Sequence, residues 1–169
     1  MLGSLGTPKD LKTRLNVPAS EKLVAWGSGL RSSATEVTYV AATNRAIYME
    51  SVGERITWDR ISKAQWDEPM LELVVLDGDG QPARLISVPL NLSNGVPAAV
   101  HAQVMDSVVA TERLDLGAGA GALAVARRSL DEGTIWWSVV FDTGLNHSDP
   151  VLRERADEAL VSLRDALGV

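Results

Sequence analysis

The sequence contains no cysteine, one phenylalanine, two histidines and no long hydrophobic run. Without cysteine there are no disulfides, thiolate metal sites or cysteine nucleophiles, and a reducing compartment is allowed. No run approaches the ~20 apolar residues that a membrane helix needs. The first 18 residues also lack the apolar centre of a secretory signal. Together these absences predict a cytoplasmic location.

Basic residues are in deficit, with 16 Lys and Arg against 22 Asp and Glu and a formal net charge of -6. A general binder of nucleic acid or of an anionic membrane needs a clustered excess of Lys and Arg, so the balance argues against both partners. The apolar fraction of 46% and the length of 169 residues suit one soluble domain, or one domain with a substantial appendage.

Alternation of β-branched and aromatic residues predicts seven short strands in the first half of the chain. Asn44 suits a tight turn. The run Asp77-Gly78-Asp79-Gly80 is a strong hairpin signal, because two glycines adopt positive φ at little cost. The predicted strands cover residues 23–26, 37–42, 46–49, 55–58, 61–66, 71–76 and 83–88, with a Gly/Ser loop at residues 27–33.

Three helices are predicted. A short one at residues 8–15 would turn Leu11 and Leu15 towards the rest of the protein. Ser93 or Asn94 would cap the second, and Ser148 or Asp149 the third, which Gly168 would end. The predicted buried stripes are Val96, Val100, Val104 and Val108 in the second helix, and Leu152, Ala156, Leu160, Leu163 and Leu167 in the third.

These elements predict three parts: a leader at residues 1–20, a strand-rich unit with its helix at residues 21–110, and an extension at residues 111–169. In the extension, residues 112–116, 123–128 and 135–142 read as strands before the last helix. The glycine run at residues 117–121 would cradle a phosphate only if a helix followed it at once. A linker or tight turn is therefore the favoured interpretation.

The stretch YVAATNRAIYM…GERITWDRISKAQWD resembles the bacterial pleckstrin-homology-like, or GRAM-like, domains, as found in small uncharacterised actinobacterial proteins. The residues that carry the resemblance are Ala42, Thr43, Arg45, Ala46, Tyr48, Trp58, Ile61, Ala64 and Trp66. The resemblance covers roughly residues 20–110. It implies an α+β fold with a bent antiparallel β-barrel of about seven strands capped by a helix, and it brings no catalytic residue and no cofactor. Relatives that bind phosphoinositides carry a basic cluster in the first hairpin loop, where this chain has only Arg31.

The candidate interaction residues are three arginines and two tryptophans. Arg45, Arg55 and Arg60 belong to the central strands and, together with Lys63, would form an anion site if they converged, although a solvated face is favoured. Trp136 and Trp137 are adjacent in one strand and must face opposite ways. One would enter the core under the last helix. The other would be covered by the leader or exposed, and an exposed Trp favours self-association or partner binding.

No catalytic, cofactor or metal site is predicted. His101 beside an apolar stripe and His147 before a helix cap read as structural residues, and no Gly-x-Ser-x-Gly elbow surrounds any serine. The Asp77–Gly80 run is a hairpin turn rather than a calcium loop, because the loop's terminal Glu and flanking helices are missing. A hydrolase or transferase would need carboxylates or His101 gathered in a cleft.

The sequence therefore predicts a non-enzymatic protein-interaction module, an adaptor or scaffold that binds an unknown protein or associates with itself as a homodimer. The alternative is a barrel that binds a small ligand or lipid in its mouth, which would need a cavity of some hundreds of Å³.

Overall fold

The protein, described by a computed structural model, is an α+β fold with three antiparallel sheets and a C-terminal helix. The structure describes residues 7–31 and 35–168. Its elements are α1 (Leu11–Arg14), β1 (Leu23–Leu30), β2 (Val37–Thr43), β3 (Ala46–Met49), β4 (Glu54–Thr57), a 3₁₀ turn (Trp58–Arg60), β5 (Ile61–Asp67), β6 (Met70–Leu76), β7 (Pro82–Pro89), α2 (Val96–Ser107), β8 (Val108–Gly117), β9 (Ala120–Arg128), β10 (Ile135–Phe141) and α3 (Pro150–Leu167).

The first sheet has the order β1-β2-β3-β4, and the second has the order β5-β6-β7. The predicted reversal at Asn44 is confirmed: the Oγ1 of Thr43 accepts from the backbone N–H groups of Arg45 and Ala46, at 3.1 and 3.0 Å. The predicted hairpin at Asp77 is also confirmed, because Oδ1 of Asp77 accepts from the N–H groups of Asp79 and Gln81, both at 2.9 Å. Within the described residues the two sheets remain separate, and no closed barrel is found.

The predicted loop after Trp26 was wrong, since β1 continues through it to Leu30. Glycine permits this, because the backbone of β1 lies in close contact with the end of β7 and the residues that follow it. A Cβ on Gly29 would lie 1.8 Å from the backbone oxygen of Pro89, and one on Gly27 would lie 2.7 Å from that of Leu92. Ser28 and Leu92 form an antiparallel bridge at this crossing. The glycines therefore serve close approach here, and residues 32–34 of the predicted loop lie outside the described residues.

The main core lies between the first two sheets and α2. Trp58, Ile47, Ile61 and Leu73 are fully buried there with Val100 of α2. The predicted stripe of α2 is confirmed at Val96, Val100 and Val104, but Val108 begins β8 instead. The helix is preceded by Gly95 in the left-handed conformation, with φ of 81°, so neither predicted cap residue occupies the N-cap position.

The leader helix covers the outer side of the first sheet. Leu11, Leu15 and Val17 are buried against Trp26 and Tyr48, which confirms the predicted orientation of the two leucines. Residues 1–6 lie outside the description.

The third sheet, of order β10-β9-β8, carries α3 on one face. Asp149 caps α3 by accepting from the N–H of Val151 at 2.9 Å, and Gly168 ends the helix in the left-handed conformation, as predicted. Contact with the sheet extends to Leu163, whereas Leu167 in the last turn is 51% exposed, so its predicted burial was wrong. β8 starts directly after α2, and the third sheet therefore lies beside the other two with no intervening linker.

Candidate functional site

The predicted interaction residues lie where the third sheet meets the rest of the protein. We call the described residues up to Ser107 the body, and residues 108–168 the C-terminal layer. The hairpin between β9 and β10, residues 129–134, reaches the β2–β3 turn of the body, and β10 lies against the 3₁₀ turn. This junction is the candidate site.

Two of the predicted arginines converge on one carboxylate of the C-terminal layer. Arg55 donates two hydrogen bonds to Asp131, from Nη1 to Oδ2 at 2.5 Å and from Nη2 to Oδ1 at 3.0 Å. Arg45 donates from Nη1 to the backbone oxygen of Leu130 at 2.8 Å, and the same atom lies 3.5 Å from Oδ1 of Asp131. Hydrogen bonding from Arg55 holds the pKa of Asp131 below its usual value, against the opposing effect of burial. The body therefore presents a site for an acidic turn, and the chain's own hairpin fills it.

A buried network behind Arg55 fixes this geometry. Glu21 is 3% exposed, and its Oε1 accepts from Nε and Nη2 of Arg55 at 3.0 and 2.7 Å. Its Oε2 accepts from the hydroxyl of Thr43 at 2.6 Å, and Tyr48 accepts from Nε of Arg55 at 2.9 Å. Burial raises the pKa of Glu21, but the hydrogen bonds from Thr43 and Arg55 outweigh it and lower the pKa overall. Arg55 is thus held in place by one carboxylate while it binds another.

Trp136 and Trp137 face opposite sides of β10, as their adjacency predicts. Trp137 packs under α3 with Leu160. Trp136 faces the body, where its Nε1 donates to Oδ2 of Asp59 at 2.9 Å. Trp136 is thus half-buried against the body, between the two predicted alternatives of exposure and cover by the leader, and the described part of the leader packs on Trp26.

Arg60, the third predicted arginine, lies over Trp136. Its guanidinium carbon is 4.2 Å from the ring centroid, a cation–π contact, and its Nη1 donates to the backbone oxygen of Asp77 at 2.9 Å. The turn containing Gly80 approaches the same ring, since a Cβ there would lie 3.1 Å from Trp136 and from Ser138. Arg60 therefore does not join Arg45 and Arg55 at Asp131.

Sequence reasoning missed Arg127, which is 3% exposed at the same junction. Its Nη1 donates to the backbone oxygen of Ile61 at 3.1 Å, and its Nε to the hydroxyl of Ser138 at 3.4 Å. No carboxylate lies within 4.0 Å of it in residues 7–31 and 35–168. Burial lowers the pKa of Arg127, and the charge of Asp59 opposes that effect. Arg127 lies two residues after Val125 in β9, so the two side chains share one face of the strand. This spacing was the available sequence signal that Arg127 points inward.

A cleft of about 240 Å³ opens beside these contacts. Arg45, Trp58 and Asp59 come from the body's turns, while Arg128 and Leu130 come from the C-terminal layer. The end of α2 supplies Gln103, Asp106 and Ser107. The cleft is therefore built jointly by both parts of the protein, at the kind of junction where ligand sites are common.

The two histidines do not enter this junction, and both His101 and His147 are exposed. Across the described ranges, no group of three His, Cys, Asp or Glu side chains is placed to hold a metal ion. In the same ranges, none of the helices combines the length and apolar character that crossing a bilayer requires.

In comparisons with known proteins, no family model matches the chain, and no curated protein or solved structure matches it either.

Proposed function

We propose that the chain is a non-enzymatic protein-interaction module, an adaptor or scaffold, whose recognition site is the pair Arg45 and Arg55. The observation that carries this proposal is that Arg45 binds the backbone oxygen of Leu130 and Arg55 binds the carboxylate of Asp131. A backbone carbonyl and a carboxylate of one turn are bound together, which is the chemistry of an acidic turn on a partner protein. Association with a second copy through its own Asp131 is the homodimeric form of the same contact.

Exchange between the chain's own hairpin and a partner's turn is energetically feasible. The side chains of Arg45, Arg55 and Asp131 are 43%, 31% and 37% exposed. Ion pairs at that exposure contribute only about 0–1 kcal/mol each, because water screens them. Arg55 keeps its buried partner Glu21 in either state. The recognition site therefore stays formed when the hairpin leaves it.

At the edges β4, β7 and β8, addition of a partner strand is a weaker mode of binding. β4 is four residues long, and β7 has Pro82 and Pro89 at its ends. β8 has two register shifts and carries Glu112, Arg113 and Asp115. Short length, proline, irregular register and charge are the features that blunt an edge strand. At these three edges, side-chain recognition of an acidic turn is favoured over strand addition for this reason.

We extend the proposal to the fold: β1–β7 and α2 form a bent barrel of the pleckstrin-homology-like type, with residues 111–169 appended. Supporting it are the order of seven strands followed by one helix and the Ser28–Leu92 bridge, which joins β1 to the chain after β7. The burial of Val96 and Val100 of α2 between the two sheets adds to this support. We also propose a cytoplasmic location, with which the absence of cysteine is compatible.

The test is titration of ¹⁵N-labelled Asp131→Asn protein with a capped peptide copying residues 127–136, followed by amide chemical shifts. The substitution weakens the chain's own hold on the arginines, so the peptide should shift the amides of residues 43–46 more than in the wild type. Adding Arg45→Gln to the Asp131→Asn protein should abolish the response.

The matched control is the same peptide with Asn at its acidic position, which should bind more weakly because it lacks the charge that Arg55 recognises. Equal binding of the two peptides, or no response by the Asp131→Asn protein at about 10 mM peptide, would rule the proposal out.

A second candidate function is binding of a small ligand, and the junction cleft is the observation that favours it. The mouth of the proposed barrel is an unsuitable site, because Val96, Val100 and Val104 of α2 are buried in the core. The cleft instead offers polar side chains around about 240 Å³, which equals the liquid volume of roughly eight water molecules.

A further inference from the structure

The junction cleft contains polar side chains that the fold does not use. Gln103, Asp106 and Arg128 all line it, and none makes a side-chain hydrogen bond or an ion pair to any part of the chain that the structure describes. Most other charged groups of the junction are paired, as Arg55 and Asp131 show. Unused donors and acceptors gathered around one cavity are what a polar ligand requires.

Asp59 contributes an acceptor oxygen to the cleft. It is 3% exposed and lines the cleft. Its Oδ2 accepts from Trp136, and the Nε of Arg60 lies 3.9 Å from the same oxygen. Its Oδ1 accepts none of the hydrogen bonds found among the described residues. Oδ1 of Asp59 is not among the enclosed side-chain atoms without a partner, so it keeps contact with the cleft and can accept from a donor bound there.

Side chains of both signs line the cleft. Asp59, Asp106 and the C-terminal end of α2 are negative, and the last turn of α2 contains no basic residue to offset the helix dipole. Arg128 on β9 provides the opposite sign, and Arg45 adds to it. The side chain of Leu130, 47% exposed, and the ring of Trp58 form apolar walls.

The geometry points to a site for a small zwitterion, an α-amino acid with a short apolar side chain. Its ammonium group is bound by Asp59 and Asp106, its carboxylate by Arg128, and its side chain lies against Leu130. This inference rests on the second candidate function and names the ligand class of that cleft. The cleft shares Arg45 and Leu130 with the acidic-turn site, whereas Asp106 and Arg128 make no contact with Asp131.

L-Valine is the probe. Isobutylamine, which keeps only its ammonium group, and isovalerate, which keeps only its carboxylate, are the two matched half-molecules. Binding is followed by amide shifts of ¹⁵N-labelled full-length protein. We expect valine to shift residues 103–107 and 128–130 and to bind at least about tenfold more tightly than either half. The reason is that each charged hydrogen bond makes a separate contribution.

Asp106→Asn and Arg128→Gln should each weaken valine binding about tenfold or more. Both residues are exposed and unpaired, so the variants should fold normally. Glu112→Gln, an exposed change on β8 outside the cleft, is the control that should bind valine like the wild type.

Three results would overturn the inference. If either half binds as tightly as valine, the zwitterion class is wrong while small-ligand binding survives. If neither Asp106→Asn nor Arg128→Gln changes the affinity, the site is misplaced. If none of the three probes causes an amide chemical-shift change at about 10 mM, both this inference and the second candidate function are ruled out.

Discussion

The indole Nε1 of Trp136 donates to Oδ2 of Asp59 at 2.9 Å, across 77 residues of sequence. Asp59 lies in the 3₁₀ turn that links the first sheet to the second, and Trp136 lies in the edge strand of the third. One hydrogen bond to a buried carboxylate therefore joins all three sheets. It also fixes one wall of the junction cleft, which Asp59 lines.

Replacing Trp136 with Phe should destabilise the protein by about 1–3 kcal/mol, because Oδ2 of the buried Asp59 loses the one hydrogen-bond donor that it has among the described residues. Phe keeps an aromatic face for Arg60, so the change isolates the donor. Urea unfolding of the two proteins measures the difference.

Trp137→Phe is the matched control, since Trp137 packs under α3 and its Nε1 makes no hydrogen bond among the described residues. We expect a loss of about 1 kcal/mol or less from the smaller ring. Equal losses for the two variants would mean that the contact with Asp59 contributes nothing.

Gly29→Ala should destabilise the protein by about 3 kcal/mol or more, because the new methyl group meets the backbone of Pro89, which cannot rotate away. Gly78→Ala is the control: nothing lies within 4 Å of a Cβ there, and the change should stay within about 0.5 kcal/mol. Thermal unfolding of both variants checks this. A fully stable Gly29→Ala protein would show that β1 does not cross the Pro89 segment closely.

Stability should fall as the pH drops below about 4, in part through Asp131. Hydrogen bonding from Arg55 lowers the pKa of Asp131 in the folded state below its ordinary 3.8. The stabilisation is therefore complete above that ordinary value and is lost as the pH falls through the lower, folded pKa. Because the pair is partly exposed, we expect less than about 1 kcal/mol from it.

Urea unfolding at pH 7 and pH 3 tests this assignment in Asp131→Asn, which should lose less stability on acidification than the wild type. Glu132→Gln is the control in the same hairpin, since Glu132 forms no ion pair within the described ranges, and it should behave like the wild type. If Asp131→Asn keeps the full acid dependence, the Arg55–Asp131 contact is not formed in solution.

Local patterns in the sequence were sufficient for the strands, the hairpin at Asp77 and the caps of α3. Each depends on residues close together in the chain: Asp77 accepts from Asp79 and Gln81, and Asp149 accepts from Val151. The opposed faces of Trp136 and Trp137 also followed from strand geometry alone. The extent of β1 did not follow from local patterns, because Gly27 and Gly29 are typical of a loop in the sequence. Only the close contact with Pro89 and Leu92 in the folded protein explains why glycines lie in a strand there.

The sequence by itself thus determined the strand and helix content and the residue types available for recognition. Only the tertiary structure decided their partners, since Arg55 meets Asp131 across 76 residues and Arg45 meets Leu130 across 85. The junction cleft and the burial of Arg127 were decided in the same way. The physical reason is that alternation and capping depend on neighbouring residues, whereas ion pairing and cavities depend on how separate sheets pack in three dimensions.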